Sequence, residues 1–269
     1  MTAFAAHFAF EFKTGLRNST QMMMNYLFPL GFYALMGLVM TQINPTFKLV
    51  LLPAMVIFTA MASTLLGLPS PLVESRDAGI FRSFKINGVP ALSILSLPTL
   101  STSFHALIAS ILISVTGGPL FGGATPTNWG AFALLTVLAI AAFGSLGALI
   151  GVVSANSRAT VLWSQLIFLP SMLLGGLMLP LSLIPAAVRP ISALLPSTHA
   201  MQAFEGLAFA RPTVFSPWLS VAILLASTLL AFGLAVYLFN WDSRNQTRRG
   251  HPLMALLVLV PYLIGILLS

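Results

Sequence analysis

The sequence predicts an all-α integral membrane protein, and three observations carry that reading. Mean hydropathy is +0.97. Only 6% of the 269 residues are charged, against about 25% in soluble domains. The apolar residues also lie in unbroken runs and do not alternate as a barrel wall must; in lipid, a helix satisfies its own backbone hydrogen bonds. Twelve Lys and Arg and five Asp and Glu cannot cover the surface of a soluble chain of this size. A cytosolic enzyme, a disordered regulator and a nucleic-acid binder are thereby excluded, despite a net charge of +7. The absence of cysteine excludes a disulfide scaffold and a thiolate metal site.

The first element is amphipathic. On a helical wheel Phe4, Phe8, Phe12 and Leu16 share one side, while His7, Glu11, Lys13, Arg17 and Asn18 take the other. Such a helix lies in the headgroup plane with its phenylalanines toward the acyl chains; the alternative is an extension of the first span. The first ten residues lack the basic region of a cleavable signal. Six uncharged runs follow, at residues 21–41, 49–69, 92–116, 129–153, 160–179 and 217–240. Each suits a helix of about 20 residues across the hydrocarbon. A further apolar stretch, 253–269, is interrupted by Pro261 and is short for a span. The expected organisation is a six-span unit over 1–245, then a basic linker and C-terminal hydrophobic segment over 246–269.

Lys and Arg set the orientation. With a cytoplasmic N-terminus, the inner connections hold Lys13, Arg17, Arg76, Arg82, Lys85, Arg158, Arg244, Arg248 and Arg249, and the outer ones only Lys48, Arg189 and Arg211. The sequons at Asn18 and Asn245 then lie on the wrong side for glycosylation.

Two connections exceed ordinary turns. Residues 71–90 hold Glu74, Arg76, Asp77, Arg82 and Lys85 interleaved with Ile80, Phe81, Phe84 and Ile86, and Gly79 permits a bend. A solvated turn needs far fewer residues. Aromatic side chains beside charges suit a short surface helix that docks a cytoplasmic partner. Residues 175–212 carry Pro180, Pro185, Pro190 and Pro196, which break helix repeatedly, yet the segment stays apolar. Irregular backbone at membrane depth must be covered by protein or face a water-filled cavity. Two short helices re-entering the outer leaflet, as an outer lid, are expected.

Here the sequence resembles the permease subunits of type-2 ATP-binding-cassette (ABC) transporters, over about residues 1–245. The amphipathic helix is similar to the family's connecting helix. Glu74-Ser-Arg-Asp-Ala-Gly79, followed by Arg82, Lys85 and Pro90, resembles its coupling helix, which sits in a groove of the ATPase subunit. Gly175, Gly176, Leu179-Pro180-Leu181, Ile184-Pro185, Leu195-Pro196-Ser-Thr198 and Glu205 resemble the pattern before its last helix. The resemblance implies ATPase coupling through Glu74, Arg76, Asp77, Gly79, Phe81, Arg82, Phe84 and Lys85. It implies an outer lid containing Gly175, Gly176, Pro180, Pro185, Pro196 and Glu205. Residues 253–269 depart from it, because the family usually stops after the sixth span.

The motor is expected on another polypeptide. A phosphate loop of the form G-x-x-x-x-G-K-[ST] is missing; residues 117–123 are glycine-rich but contain no Lys. The chain is thus read as a transport subunit without enzymatic activity or cofactor, with ATP and magnesium bound by a cytoplasmic ABC ATPase. No Asp, Glu, Lys or Arg falls inside the six main runs, which argues against a proton antiporter. His105 is the one titratable candidate there, as a helix–helix hydrogen-bonder or a pore-lining group. His7, His199 and His251 are too scattered for a metal site. Gly144, Gly147 and Gly151 share a face at close-packing spacing. Asn25, Gln165 and Asn156 could bond between helices or face a cavity, and Asn25, His105 and Gln165 are the candidate substrate path. Glu205 could pair with Arg211 or Arg189. The expected function is export of a hydrophobic drug, antibiotic or lipid-like compound (multidrug efflux) by paired permeases in a bacterial inner membrane. A lipid-linked polysaccharide exporter and a stand-alone carrier or channel are the alternatives.

Overall fold

The computed structural model describes residues 3–242 and 249–268. Arg244, Arg248 and the Asn245 sequon lie outside the described residues, as does the side chain of Phe4. All regular structure among the described residues is helical.

Helix α1, Ala3–Arg17, is separate from the first span. At Asn18 the backbone turns extended (φ −85°, ψ 113°), and its side chain accepts from the Gln21 N–H. An N-cap of this kind starts a new helix, so α1 is not an extension of the span. Its phenylalanines are not left wholly to lipid. Phe8 and Phe12 pack edge-to-face on Phe104 of the third span, with centroids 6.2 and 5.7 Å apart.

The spans follow as α2, Ser19–Ile43, and α3, Phe47–Asp77. Wide π turns interrupt α2 at Met23–Leu27 and Met36–Met40, and α3 at Ala62–Leu66. The short α4 is Ile80–Ile86. Then come α5, Ala91–Phe121, and α6, Trp129–Val153. Helix α7, Ser157–Leu174, is followed by α8, Arg189–Ala193, and α9, Pro196–Ala203. The last span is α10, Pro217–Leu238. A 3-10 stretch, Pro252–Leu259, leads into α11, Val260–Leu268.

Among the described residues, five helices, α2, α3, α5, α6 and α10, are long and apolar enough to cross a membrane. Helix α7 has 18 residues, about 27 Å of rise, and begins with Ser157-Arg158. It stops at Leu174, five residues before the expected end, where Gly175 and Gly176 follow in irregular backbone.

The centre of the bundle is α3, whose residues from Val50 to Leu65 are all buried. Helices α5 and α6 pack against it, and α10 lies along α6. Close approach to α6 depends on its glycines. A Cβ at Gly147 would overlap the Thr64 carbonyl, and one at Gly151 would meet Leu72 at 2.9 Å. At Gly144 it would come 3.3 Å from the Ser103 hydroxyl.

Candidate functional site: the charged segment and the proline-rich segment

The charged stretch is two helices, not one. Residues Pro69–Asp77 continue the second span. The chain then turns at Gly79, whose φ of +75° is left-handed; a side chain there would be strained. Helix α4 follows. One of its faces is anchored to the residues leaving α10. Phe81 is buried against Phe239 at 5.4 Å, Arg82 pairs with Asp242 at 2.9 Å, and Lys85 Nζ sits 5.8 Å over the Trp241 ring. Phe84 meets His7 of α1 at 5.6 Å. The opposite face is open: Ile80 is 46% and Ile86 80% exposed. Glu74, Asp77, Ser83 and Asn87 are exposed beside them.

Arg76 does not share that open surface. It is buried, and its guanidinium donates to the carbonyls of Ser154 (3.0 Å), Ala155 (3.2 Å) and Val152 (3.5 Å), while Nε meets Asp77 at 3.2 Å. These carbonyls end α6 and have no intrahelical donors; a planar cation with several N–H groups suits them and the negative end of the helix dipole. Arg76 thus joins the charged segment to the end of α6.

At the opposite end of the bundle the proline-rich segment holds a 3-10 turn, Leu181–Leu183, and the short helices α8 and α9. Every residue of α9 is buried, against α6, α10 and α3. Protein covers α9, whereas Leu179, Leu183 and Ile191 in the stretch before it are exposed. Gly176 takes the left-handed φ of +86°, with Met201 against it. His199 Nε2 donates to the Ala193 carbonyl at 2.8 Å, and its Nδ1 then accepts from the Ser220 hydroxyl at 3.2 Å. The buried hydroxyls of Ser171, Ser192, Ser197 and Thr198 have no hydrogen-bond partner among the described residues.

Glu205, just after α9, accepts from Gln202 Nε2 at 3.2 Å. Burial raises its pKa, and the charge of Arg211 offsets part of that rise. Arg211 reaches across to the Leu49 carbonyl at 2.7 Å. Arg189 is not a partner of Glu205 here; its Nε donates to the Ile184 carbonyl at 3.2 Å.

The candidate path residues do not converge on one site. His105 Nδ1 is hydrogen-bonded to the Tyr26 hydroxyl at 2.7 Å, and its ring stacks on Phe12 at 4.2 Å and 7°. It thereby ties α5 to α2 and α1. Asn25 is buried in the first π turn, with Oδ1 lacking a partner among the described residues. Gln165 is half-buried on α7. Asn156 caps α7, accepting from Ala159 N at 3.0 Å. Its place two residues before Arg158, at the start of an apolar run, is the sequence signal for that cap. No group of acidic, histidine or cysteine side chains able to hold a metal ion occurs among the described residues.

The comparisons agree with this architecture. The description "ABC-2 type transporter" applies to the family that matches residues 2–209. The chain is 25% identical over 233 residues to the "Putative transport permease YvfS" of Bacillus subtilis (strain 168), covering 85% of this chain and 93% of the relative. No solved structure matches significantly. From the family match over most of its length, the chain belongs to the ABC-2 type transporter membrane family.

Proposed function

We propose that the chain is the membrane-spanning subunit of an ATP-driven exporter, coupled to a separate cytoplasmic ATPase through α4. The observation that carries this reading is the two-sidedness of α4: Phe81 and Arg82 fasten it to the end of α10, while Ile80 and Ile86 remain exposed. A push on α4 has two routes into the bundle, through Phe81 and the Arg82–Asp242 pair to the end of α10, and through the Gly79 turn and Arg76 to α6. ATP and magnesium would be bound by the ATPase, and two permease copies would enclose the path.

Nucleotide can drive movement only by favouring one of two states. The proline-rich segment supports an outer lid as the element that moves: its short helices are joined by irregular backbone, and Gly176 near its start is left-handed. For the cargo, a cleft of about 410 Å³ between α5, α6 and α10 supports a hydrophobic drug, antibiotic or lipid-like compound. Leu100, Phe104, Leu107, Ile140 and Phe232 contribute to its largely apolar lining.

The test is Ile86→Asn, which makes an exposed side chain polar without giving Arg82, four residues earlier on the helix, a competing carboxylate. The expected result is normal membrane insertion with loss of ATPase copurification and of transport-stimulated hydrolysis. Full activity in that variant, or transport by the purified chain alone in liposomes, would overturn the proposal.

A further inference from the structure

The stretch Pro252–Leu268 has 17 residues, fewer than the roughly 20 that an α-helical crossing takes. Its first eight residues, however, form a 3-10 helix and its last nine an α-helix. With rises of about 2.0 and 1.5 Å per residue, the stretch reaches about 30 Å. That equals the thickness of the hydrocarbon core. The stretched first half gives a short sequence the length of a full span.

Its contacts with α10 run in the reverse direction from end to end. Near the charged segment, the Tyr237 hydroxyl donates to the Arg249 carbonyl at 3.2 Å, and Gly250 lies against Tyr237 and Leu238. Further along, the Tyr262 hydroxyl donates to Ser227 Oγ at 2.8 Å. Gly265 then meets Ile223, with no room for a Cβ. At the far end α11 touches α8, and the Tyr262 ring lies 5.6 Å from His199 of α9.

We propose that Pro252–Leu268 is a further membrane crossing, which brings Leu268 to the face opposite α4 and braces the proline-rich segment there. Side-chain placement fits a helix between protein and lipid. The stretch has no charged residue; Tyr262 and Val258 are buried toward the bundle, while Leu256, Leu263 and Leu267 are exposed. Buried Tyr262 spends its hydroxyl on Ser227, so the single polar group facing the bundle is satisfied.

Because the chain has no cysteine, single introduced cysteines report position without background. Leu268→Cys would be compared with Gln42→Cys, exposed at the end of α2 near the proline-rich face, and Asn87→Cys, exposed after α4. Intact cells would be treated with a membrane-impermeant maleimide before and after lysis. Labelling of Leu268→Cys under the same conditions as Gln42→Cys, and opposite to Asn87→Cys, is the expected result. Labelling together with Asn87→Cys, or none in either condition, would overturn the crossing. The comparison is internal, so its outcome does not depend on which face is cytoplasmic, and expressing the chain without other subunits keeps Asn87 uncovered.

Discussion

Arg82 Nη2 lies 2.9 Å from Asp242 Oδ2, so the short helix after Gly79 is held by an ion pair to the residues that leave the last main span. The two partners are 52% and 21% exposed, and an ion pair that open contributes only about 0–1 kcal/mol to stability. Under the proposed coupling, its role is to fix the direction in which α4 is pushed. Arg82→Asp should leave insertion and thermal stability nearly unchanged while lowering transport-stimulated ATPase activity. The swap Arg82→Asp with Asp242→Arg should restore activity toward the parent; failure of the swap would separate Arg82 from this contact.

Arg76 should behave in the opposite way. Its buried guanidinium satisfies carbonyls at the end of α6, and removing it leaves them without donors inside protein. Arg76→Ala is expected to cost about 2 kcal/mol or more, seen as a lowered midpoint in thermal unfolding of the detergent-solubilised protein. Arg76→Lys should recover little, because a single ammonium cannot span three carbonyls as a planar fork does.

The glycines of α6 give a steric prediction with its own control. Gly147→Ala forces a methyl into the Thr64 carbonyl, where backbone must shift, whereas a Cβ at Gly31 meets nothing within 4 Å. Gly147→Ala should lower the unfolding midpoint by several degrees, in keeping with about 1–3 kcal/mol for overpacking. Gly31→Ala should be neutral or slightly stabilising, as a better helix former.

Glu205 sets a pH dependence. Burial lifts its folded-state pKa above the ordinary value of 4.5, so the folded form holds its proton more tightly than the unfolded chain. The stabilisation this gives is fully present below the unfolded pKa and is lost as pH rises through the folded pKa. Thermal stability should therefore decline over that window and stay level above it. Glu205→Gln should remove this component of the profile while leaving a side-chain oxygen to accept from Gln202; an unaltered profile would assign the dependence elsewhere.

Much of this molecule was legible from residue order because the physics concerned is local. An uncharged run in lipid has to form helix, whatever it packs against, so residues 129–153 are α6 with the same bounds and 217–240 are α10 to within two residues. Positive connections, the glycine bend at Gly79 and the prolines of the segment before α10 are likewise properties of short windows. The amphipathic stripe of α1 was readable, but not the ring of Phe104 that receives Phe8 and Phe12.

What tertiary structure alone decided are the partners of polar groups. Arg76 stands among exposed-looking charges in the chain, yet it is the cap of a helix that ends 77 positions later at Val153. Tyr262 and Ser227, Arg211 and Leu49, and Tyr26 and His105 meet across 35, 162 and 79 positions. A buried donor takes whichever acceptor the packing brings near, and that choice depends on crossing geometry that no window of sequence contains. The apolar runs dictated roughly where the long helices lie; the packed bundle alone determined that Pro252–Leu268 runs back along α10.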